Sequence, residues 1–466
     1  MPESWATLRE LLLPSMTDCP ARSRGRTLEA ALREAIRAGR LPTRSRLPSS
    51  RDLATQLGMA RGTVTASYRQ LAAEGYLVAR RGSGTTVADA LHTSTRPPKP
   101  ASIPDRWRFD LRPGLPALGA FPRAAWVAAT RAGLASLPDD ALGYPEAAGL
   151  AELRAELAGY LGRVRAVVVA PEDLIITHGV AEGLSLLTQV LHARGHRQIA
   201  VENPGSPGGA DLFAAHGLRP VPITVDDRGL RVDQLAASGC RAVLVTSAHQ
   251  FPLGMVLHPE RRRTLLNWAR ENDGLVIEDD YDAEHRYDRP ALGAVQALDP
   301  TRVVYQGSVS KVLAPALRIG WLLAPPALRS DLVDAKHFHD LGCSPLPQAA
   351  LAHLIRTGTY ERHLRRTRAL HRQRRDALLT AVSEHLPRCS PVGVAAGLHV
   401  VLRFPSGTDD LALQRALAAR GVNAPALSGY LPAGGAAPFP GLVLGYAWMS
   451  PDRLRSAVEI IADVLS

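Results

Sequence analysis

Lysine is scarce in this chain. Arginine occupies 52 of its 55 basic positions, and lysine occupies only positions 99, 311 and 336. An arginine guanidinium stays protonated at physiological pH, whereas a lysine amine can lose its proton and act as a nucleophile. Lys311 lies in the stretch GSVSKVLAPALRIGW (307–321), among small, hydroxyl-bearing and apolar residues. The presence of a lysine at this position of an arginine-rich chain makes Lys311 a candidate nucleophile.

Cysteine and long apolar runs are scarce as well. The four cysteines of the 466-residue chain form no C-x-x-C pair, which argues against a disulfide framework or a zinc site and favours reduced thiols. No stretch of about 18 apolar residues is present, so we expect no membrane span. The N-terminus has no basic segment ahead of an apolar core, so it does not resemble a signal peptide. We therefore expect a cytoplasmic protein.

Length and charge divide the chain. A sequence of 466 residues is too long for one ordinary core, so we expect two or more domains. Residues 1–88 hold fourteen arginines and seven acidic residues, and so carry +7 of the net +11. This favours a polyanionic partner, although solvated charged faces in an arginine-biased sequence remain an alternative. Residues 89–108 are rich in proline, serine and threonine and predict a linker.

The segment 47–87 has the layout of a winged helix-turn-helix. Two helical patterns precede two β-prone runs, which are joined by a Gly-Ser-Gly turn. The second helix of such a unit enters the major groove of DNA with its first side chains facing the base edges. The candidate DNA-binding residues are Arg51, Arg61, Thr63, Thr65, Arg81 and Gly82. The expected partner is double-stranded operator DNA, and a three-helix module that binds protein is the alternative.

Strand-like and helical patterns alternate in residues 109–466. This alternation predicts an α/β domain with a largely parallel sheet. Its apolar strand-like runs cover 174–177, 199–202, 242–247, 274–279 and 302–307. Polar residues stand at the ends of these runs, where open α/β sheets bind ligands. From about 346 to 466, a long basic helical region and two further strand candidates predict a smaller α+β lobe.

Lys311 has the companions that a pyridoxal phosphate site needs. The cofactor's aldehyde forms a Schiff base with a lysine, its pyridine nitrogen needs an acid, and its O3′ needs a donor. Asp279 and Tyr281, in VIEDDYDAEHRYD, are candidates for the last two roles. The candidate phosphate ligands are Gly179, Val180, Ala181, Ser308, Ser310 and Arg318. Each residue alone has a simpler interpretation, such as a surface lysine or a solvated turn.

The order of these candidates strengthens the prediction. We expect Gly179, Asp279, Lys311 and Arg318 each to follow its own strand, which would gather them at one edge of the sheet. Pyridoxal 5′-phosphate is therefore the predicted cofactor, and we expect no metal.

Both halves of the chain resemble known families. LPSSRDLATQLGMARGTVTASYRQLAAEGYLVARRGSGTTV resembles the GntR-type winged-helix domain, and residues 109–466 resemble a fold-type I aminotransferase. TSAHQFPLG, IEDDYDAEHRYD and YQGSVSKVLAPALRIGW are similar to the MocR subgroup of GntR regulators, which fuses the two parts. The resemblance implies an internal aldimine on Lys311 and a head-to-tail homodimer. It also implies that Tyr144, in GYPEAAGLAELR, reaches the cofactor phosphate of the neighbouring subunit.

Two departures from the family bear on the effector. The position after E-x-P-G that usually carries a ring-stacking tyrosine is Ser206, and an arginine that some members carry two residues later is Gly208. Residues 421–452 contain no lysine or arginine that could clamp a substrate carboxylate, although Arg403 or Arg123 remain candidates.

We therefore predict a pyridoxal phosphate-dependent regulator of transcription, and not an enzyme. Its effector is either pyridoxal phosphate itself, as in the family branch that controls vitamin B6 synthesis, or an amino compound. A working aminotransferase fused to a DNA-binding domain is the first alternative. A DNA-binding protein whose large domain is only a dimerisation scaffold is the second.

Overall fold

The computed structural model describes residues 20, 23–80, 84–89, 107–288, 290–432, 435 and 437–465. The chain folds into two compact units, Met1–Arg106 and Trp107–Ser466. Among the described residues, no helix is both long and apolar enough to cross a membrane.

The N-terminal unit is a winged helix-turn-helix, as predicted. Its helices are α1 (Arg24–Arg37), α2 (Ser50–Leu57) and α3 (Arg61–Ala73), and its strands are β1 (Arg46–Leu47), β2 (Leu77–Arg80) and β3 (Gly84–Val87). The strands form an antiparallel sheet in the order β1-β3-β2. Leu28 and Leu32 of α1 face Val64 and Leu71 of α3 in one buried cluster, because residues three, four or seven apart share a helix face.

Helix α2 has defined signals at both ends. The hydroxyl of Ser49 accepts a hydrogen bond from the Asp52 amide at 3.2 Å and donates one to the Asp52 carboxylate at 2.6 Å. This satisfies an amide that the first turn would otherwise leave unpaired. At the other end Gly58 adopts φ +58°, a left-handed conformation that glycine takes without the steric penalty of a Cβ.

The larger unit is built on an eight-stranded sheet. Its strands are β5 (Leu174–Thr177), β6 (Gln198–Asn203), β7 (Arg219–Asp226), β8 (Gly229–Leu230), β9 (Ala242–Val245), β10 (Leu275–Asp279), β11 (Val303–Ser308) and β12 (Gly320–Leu323). Their order is β5-β12-β11-β10-β9-β6-β7-β8. The five central strands β11, β10, β9, β6 and β7 are parallel, which agrees with the predicted α/β class.

Helices cover both faces of this sheet. They are α4 (Arg123–Ser136), α5 (Ala151–Arg165), α6 (Val180–Ala193), α7 (Pro207–Ala215), α8 (Val232–Ala237), α9 (Pro259–Glu271), α10 (Pro326–Asp340) and α11 (Pro345–Arg356). Neighbouring strand residues point to opposite faces, so Ile175 packs in the cluster that contains α6 and Ile176 packs in the cluster that contains α5. The central strand β11 is buried in the same way, with Val304 in the first cluster and Tyr305 in the second.

Strand β12 corrects the prediction for Arg318. We expected Arg318 to follow a strand, but it precedes β12. Because β12 runs antiparallel to β11, its first residue Gly320 lies opposite Ser308. The start of β12 therefore lies at the edge of the sheet where the parallel strands end, and Arg318 lies at that edge although it precedes its strand. The expectation that Arg318 follows its own strand was wrong, while Arg318 does lie at the edge of the sheet where we expected it.

The small lobe forms a separate α+β layer. Its elements are β4 (Phe109–Asp110), α12 (Thr359–His385), β13 (Ser390–Val392), β14 (His399–Arg403), α13 (Asp410–Ala419), β15 (Val422–Asn423), β16 (Gly441–Gly445) and α14 (Pro451–Leu465). Strands β13, β14 and β16 are antiparallel, and β4 pairs in parallel with β15. Phe109 and Leu111 are buried in the core of this lobe, although they lie more than 260 residues from most of it in sequence.

The basic helical region that the sequence predicted as one stretch is divided in two. Helix α11 ends at Arg356 and α12 begins at Thr359, with Gly358 between them at φ +67°. Helix α11 packs on α4 of the large lobe, where a Cβ on Gly133 would lie 3.0 Å from the Cβ of Ala349. Glycine at 133 allows this close contact.

The α2 cap yields a testable prediction. Replacing Ser49→Ala removes the hydroxyl that pairs with the Asp52 amide, and such losses cost about 1 kcal/mol of helix stability. We expect faster hydrogen exchange of the α2 amides in this variant, with a change in opening free energy of about that size. Ser50→Ala is the matched control, because Ser50 makes no capping hydrogen bond. Equal effects of the two substitutions would contradict the assignment.

Candidate functional site

Lys311 lies just beyond the end of β11, in a partly buried position. Its amine donates a hydrogen bond to the carbonyl oxygen of Gly114 at 2.7 Å. Burial lowers the pKa of Lys311, and the carboxylates of Asp282 and Asp279 oppose that shift without cancelling it. An amine with a lowered pKa is more often unprotonated, which is the form that attacks a carbonyl carbon.

One cavity of about 310 Å³ brings most of the predicted residues together. Its lining consists of Pro113, Gly114, Val180, Ala181, Ser206, Thr246, Phe251, Asp279, Tyr281, Ser308, Ser310, Lys311 and Arg318. Gly179 adjoins it, since a Cβ there would lie 3.2 Å from the Arg318 guanidinium nitrogens. The sequence interpretation missed Pro113, Gly114, Thr246 and Phe251 as lining residues. The motif TSAHQFPLG contains the last two, whereas nothing in the sequence pattern marks the first two.

Asp279 is the last residue of β10 and lines this cavity. Its Oδ1 is buried and has no hydrogen-bond partner among the described residues. Burial, together with the neighbouring Asp280, raises the pKa of Asp279 to about 7. A buried acceptor without a donor is costly, so this carboxylate suits a ligand that brings an N–H group.

The other acids of the EDDYD segment are already paired. Glu278 accepts hydrogen bonds from the amides of Val295 at 3.0 Å and Gln296 at 3.1 Å. Asp280 accepts from the Arg165 guanidinium and from the Tyr305 hydroxyl, each at 2.6 Å. Asp280 also has a buried oxygen, Oδ1, without a hydrogen-bond partner among the described residues, but of these three acids only Asp279 lines the cavity and can meet a ligand there. The arrangement does not resemble a shared metal site.

Tyr281 is held by a histidine. Its hydroxyl lies 3.0 Å from Nδ1 of His249, which in turn lies 3.0 Å from the Asp282 carboxylate. Burial raises the pKa of Tyr281 well above its usual value, so the hydroxyl stays protonated and can donate. Gly397 of the small lobe packs directly on this pair: a Cβ there would overlap the His249 ring and lie 2.5 Å from Asp282. The small lobe thus touches the site through a position that only glycine can fill.

A cradle for an anion lies beside Lys311. The amide groups of Val180 and Ala181 belong to the first turn of α6, which carries positive electrostatic potential. Ser308 and Ser310 line the same part of the cavity, and Arg318 has no carboxylate within ion-pair distance among the described residues. The open guanidinium and the hydroxyl groups suit a phosphate group.

Glycine is required where the cradle is tightest. Gly179 adopts φ +90°, a conformation that L side chains rarely adopt. A Cβ on Gly320 would lie 2.7 Å from the Cα of Gly179. The close approach of these two backbones therefore requires a glycine at 320, and the backbone conformation at 179 requires the other.

Other predicted residues lie outside this cavity. Tyr144 is 91% exposed and lines a separate cavity of about 250 Å³. The Arg403 guanidinium stacks 4.9 Å from the ring centre of Phe439, and Arg123 is exposed at the start of α4. Ser206 does line the cavity, as an exposed residue, and Phe251 supplies an aromatic ring there. In the described lining, Lys311 and Arg318 are the only basic side chains.

The predicted DNA-binding residues have different surroundings. Arg51 and Arg61 are exposed. Thr65 is half-buried, and its hydroxyl donates to the Arg61 carbonyl at 2.9 Å. The Thr63 methyl lies against α1, 3.2 Å from where a Cβ on Gly25 would be. Arg81 and Gly82, predicted at the wing tip, lie outside the described residues.

The buried pair beneath the site yields a prediction. Replacing Arg165→Met leaves Asp280 buried without its cation, and breaking such pairs costs about 3–5 kcal/mol. We expect a large loss in the free energy of unfolding, measured by urea denaturation of the full chain. Tyr305→Phe removes one hydrogen bond to Asp280 but keeps the ion pair, so its cost should be smaller. Equal costs would show that the ion pair contributes nothing beyond an ordinary hydrogen bond.

Comparison with known proteins adds to this geometry. The family model "Bacterial regulatory proteins, gntR family" matches residues 24–87, and "Aminotransferase class I and II" matches residues 116–461. The chain is 36% identical to the HTH-type pyridoxine biosynthesis transcriptional regulator PdxR of Corynebacterium glutamicum, over 94% of this chain and 95% of that protein. It is 34% identical to the probable rhizopine catabolism regulatory protein MocR of Rhizobium meliloti, over 93% of this chain and 92% of that protein.

Solved structures agree with the sheet and lobe arrangement. The kynurenine aminotransferase of Pyrococcus horikoshii superposes with a TM-score of 0.70 at 25% identity, covering 77% of this chain and 90% of that one. A multiple substrate aminotransferase from Thermococcus profundus superposes equally well, at 26% identity over 77% of this chain and 91% of that one.

Proposed function

The chain belongs to the GntR-family transcriptional regulators of the MocR type, which join a winged helix to an aminotransferase-like domain, and we propose that its larger unit holds pyridoxal 5′-phosphate on Lys311 as a sensor. The aminotransferase class implies this cofactor, and the residues that hold it are the subject of the proposal.

One observation carries the proposal. A lysine amine with a lowered pKa, a buried carboxylate oxygen and an arginine guanidinium all face a single cavity of about 310 Å³. The carboxylate oxygen and the guanidinium have no partner among the residues that the structure describes. When bound, pyridoxal phosphate supplies an aldehyde that an amine can capture and a ring that withdraws electrons. In this cavity Lys311 would meet the aldehyde, and Asp279 would meet the nitrogen of the ring.

Each residue has a separate role. Asp279 would accept a hydrogen bond from the pyridine nitrogen, and Tyr281, held by His249, would donate to O3′. The phosphate would be held by Arg318, Ser308, Ser310 and the amides of Val180 and Ala181, with Gly179 giving room for it. In this proposal none of these residues transfers a proton to or from a substrate.

Lys311 can be tested directly. Lys311→Ala removes the nucleophile, so we expect no covalent adduct after borohydride reduction, measured by peptide mass spectrometry, and loss of the visible absorption band of the bound cofactor. Lys311→Arg is the matched control: it keeps a positive charge but cannot bond to the aldehyde. We expect the same loss of the adduct there. A reduced adduct on another residue of wild-type protein would refute the assignment.

A head-to-tail homodimer fits the exposed apolar residues of the larger unit. Val127 and Leu134 of α4 are 50% and 53% exposed, and nearby in sequence Leu142 is 58% and Tyr144 91% exposed. Clustered exposed apolar side chains are typical of a surface that another chain covers. In such a dimer Tyr144 would reach the cofactor phosphate of the partner subunit, as the family resemblance implies.

The winged helix would bind operator DNA through Arg51 and Arg61. Both guanidinium groups are exposed, at the first turns of α2 and α3. Thr63, Thr65, Arg81 and Gly82 complete the proposed contact set. Because DNA lies in the cytoplasm of a bacterial cell, a regulator of this family would act there.

Arg61 gives the matching DNA prediction. Arg61→Ala should weaken specific binding by about 1–3 kcal/mol if it contacts a guanine edge, measured by fluorescence anisotropy with the DNA upstream of the chain's own gene. Arg415→Ala removes an equally exposed arginine from α13 and should leave affinity unchanged. Cofactor content should be normal in both. Unchanged affinity of Arg61→Ala across several salt concentrations would remove Arg61 from the contact set.

Sensing is favoured over catalysis. A transaminase needs a cation to hold the substrate carboxylate, and the described lining has only Lys311 and Arg318, which both serve the cofactor. The effector would be pyridoxal phosphate itself or an amino compound. Residual transamination is compatible with the fold, and steady-state turnover at ordinary enzymatic rates would favour a working aminotransferase.

A further inference from the structure

A second, larger cavity lies next to the cofactor cavity. It has a volume of about 410 Å³ and shares Ser206 with the first one. Its lining comes from both lobes: Val201, Glu202, Asn203, Gly205, Ser206, Pro207, Ala210, Asp211, Ala214, Pro220, Pro222, Tyr430, Leu431 and Pro432. Nothing in the proposed cofactor site uses this space. Cavities of this volume are large enough for a small organic ligand.

The charged groups of this second cavity are all of one sign. Glu202 and Asp211 supply carboxylates, and its described lining contains no lysine, arginine or histidine. The Oδ1 atom of Asn203 is buried and has no hydrogen-bond partner among the described residues. A ligand that brings N–H donors and positive charge would satisfy these groups, whereas a carboxylate or phosphate would be repelled.

Glu202 is positioned with one oxygen available. Its Oε2 accepts hydrogen bonds from the Thr246 amide at 3.1 Å, from the Thr246 hydroxyl and from Gln250 Nε2 at 3.4 Å. The described residues provide no hydrogen bond to its other oxygen, Oε1. The side chain is therefore fixed by Thr246 and still has one oxygen for a ligand.

The rest of the cavity wall is apolar. Val201, Leu431, two alanines and four prolines line it, together with the ring of Tyr430. Such a wall favours a hydrocarbon chain or ring, and a tyrosine face also attracts a cation.

We propose that this second cavity binds a primary amine carried on a short apolar chain or ring, with its ammonium group at Glu202 and Asn203. Binding itself requires only this cavity, whereas the role of the amine as an effector rests on the proposed function. The proposal names a ligand without a carboxylate, in agreement with the lack of any lysine, arginine or histidine in the described lining of the second cavity.

Two contacts connect the second cavity to the first. Glu202 bonds to Thr246, which lines the cofactor cavity. The Tyr430 ring meets Phe251, another lining residue of that cavity, at a centroid distance of 5.4 Å. The Tyr430 carbonyl also accepts from the Gly205 amide at 3.2 Å, which links the two lobes. A ligand here contacts both lobes and can change their relative stability, as an effector must.

Acidity should affect this binding in a defined direction. Burial raises the pKa of Glu202 to about 7, and an ammonium group favours its ionised form. The other titratable groups around it are Asp211 on α7 and Tyr430 of the small lobe, which line the same cavity, and Asp279 and Tyr281, whose pKa values the Glu202 carboxylate raises. Affinity for the amine should therefore rise as pH increases through about 7, while the amine itself stays protonated.

Isothermal titration calorimetry with pentylamine tests the proposal. We expect one site per chain, both in cofactor-free wild-type protein and in Lys311→Ala, since the amine cannot then react with the cofactor. Pentanoate and pentan-1-ol, of similar chain length, should bind at least about tenfold more weakly, because they lack the charge-assisted hydrogen bond. Equal binding of either compound, or no binding of pentylamine, would overturn the proposal.

Two variants locate the site. Glu202→Gln should weaken pentylamine binding at least about tenfold, and Ala214→Trp, at an exposed position of the lining, should block the cavity and abolish it. Asp227→Asn is the matched control, because it removes an exposed carboxylate outside the lining. If Glu202→Gln does not fold, Ala214→Trp decides the result. Binding that survives Ala214→Trp would place the amine elsewhere.

The two proposals can fail separately. A reduced adduct on Lys311 without pentylamine binding would refute only the amine site. Pentylamine binding without any adduct on Lys311 would refute only the cofactor assignment.

Discussion

The site depends on the close approach of two backbones, at Gly179 and Gly320. A Cβ on Gly320 would come within 2.7 Å of the Gly179 Cα, so a side chain at this point would force β12 away from the start of α6. That approach is possible because β12 is inserted antiparallel between β11 and β5. It brings the Arg318 guanidinium to the N-terminus of α6 and into the cavity that Ser308 and Ser310 also line. The chemistry at this edge thus follows from a packing constraint between two residues without side chains.

A second constraint concerns the adjacent acids at the end of β10. Four carboxylates within five residues would repel one another in a medium of low dielectric constant. Glu278, Asp280 and Asp282 each have a hydrogen-bond partner within the protein, and of the four acids only Asp279 lines the cavity, where its Oδ1 has no partner among the described residues. An unpaired buried oxygen destabilises the empty protein, so a ligand that pairs with it stabilises the fold and binds more tightly for the same reason. The free energy of folding and the affinity for such a ligand are therefore linked through the Oδ1 atom of Asp279.

Much of the fold and of the cavity around Lys311 follows from the sequence, and the reasons for the exceptions are physical. Asp279, Lys311 and the residues around Gly179 were predictable because strand-like runs end beside them. The position of Arg318 before β12 was not predictable, because an apolar run of four residues carries no signal of the direction in which the strand runs. Gly114 and Thr246 enter the cavity through contacts between segments far apart in sequence, which periodicity does not encode. The break at Gly358 was missed because helical patterns continue on both sides of it. The roles of the cavity residues toward a cofactor, of Tyr144 and of the residues expected to bind DNA stay predictions.

The hydrogen bond between Lys311 and Gly114 has a mechanical consequence. Gly114 lies only four residues beyond β4, and β4 is the first strand after the segment that joins the two units. Strand β4 pairs with β15 of the small lobe, and the next residues run directly to the Lys311 amine. A lysine whose nitrogen forms a bond to another group releases the Gly114 carbonyl. The bonding state of this one nitrogen therefore acts directly on the segment that joins β4 of the small lobe to the cavity, without a relay of side chains through the core.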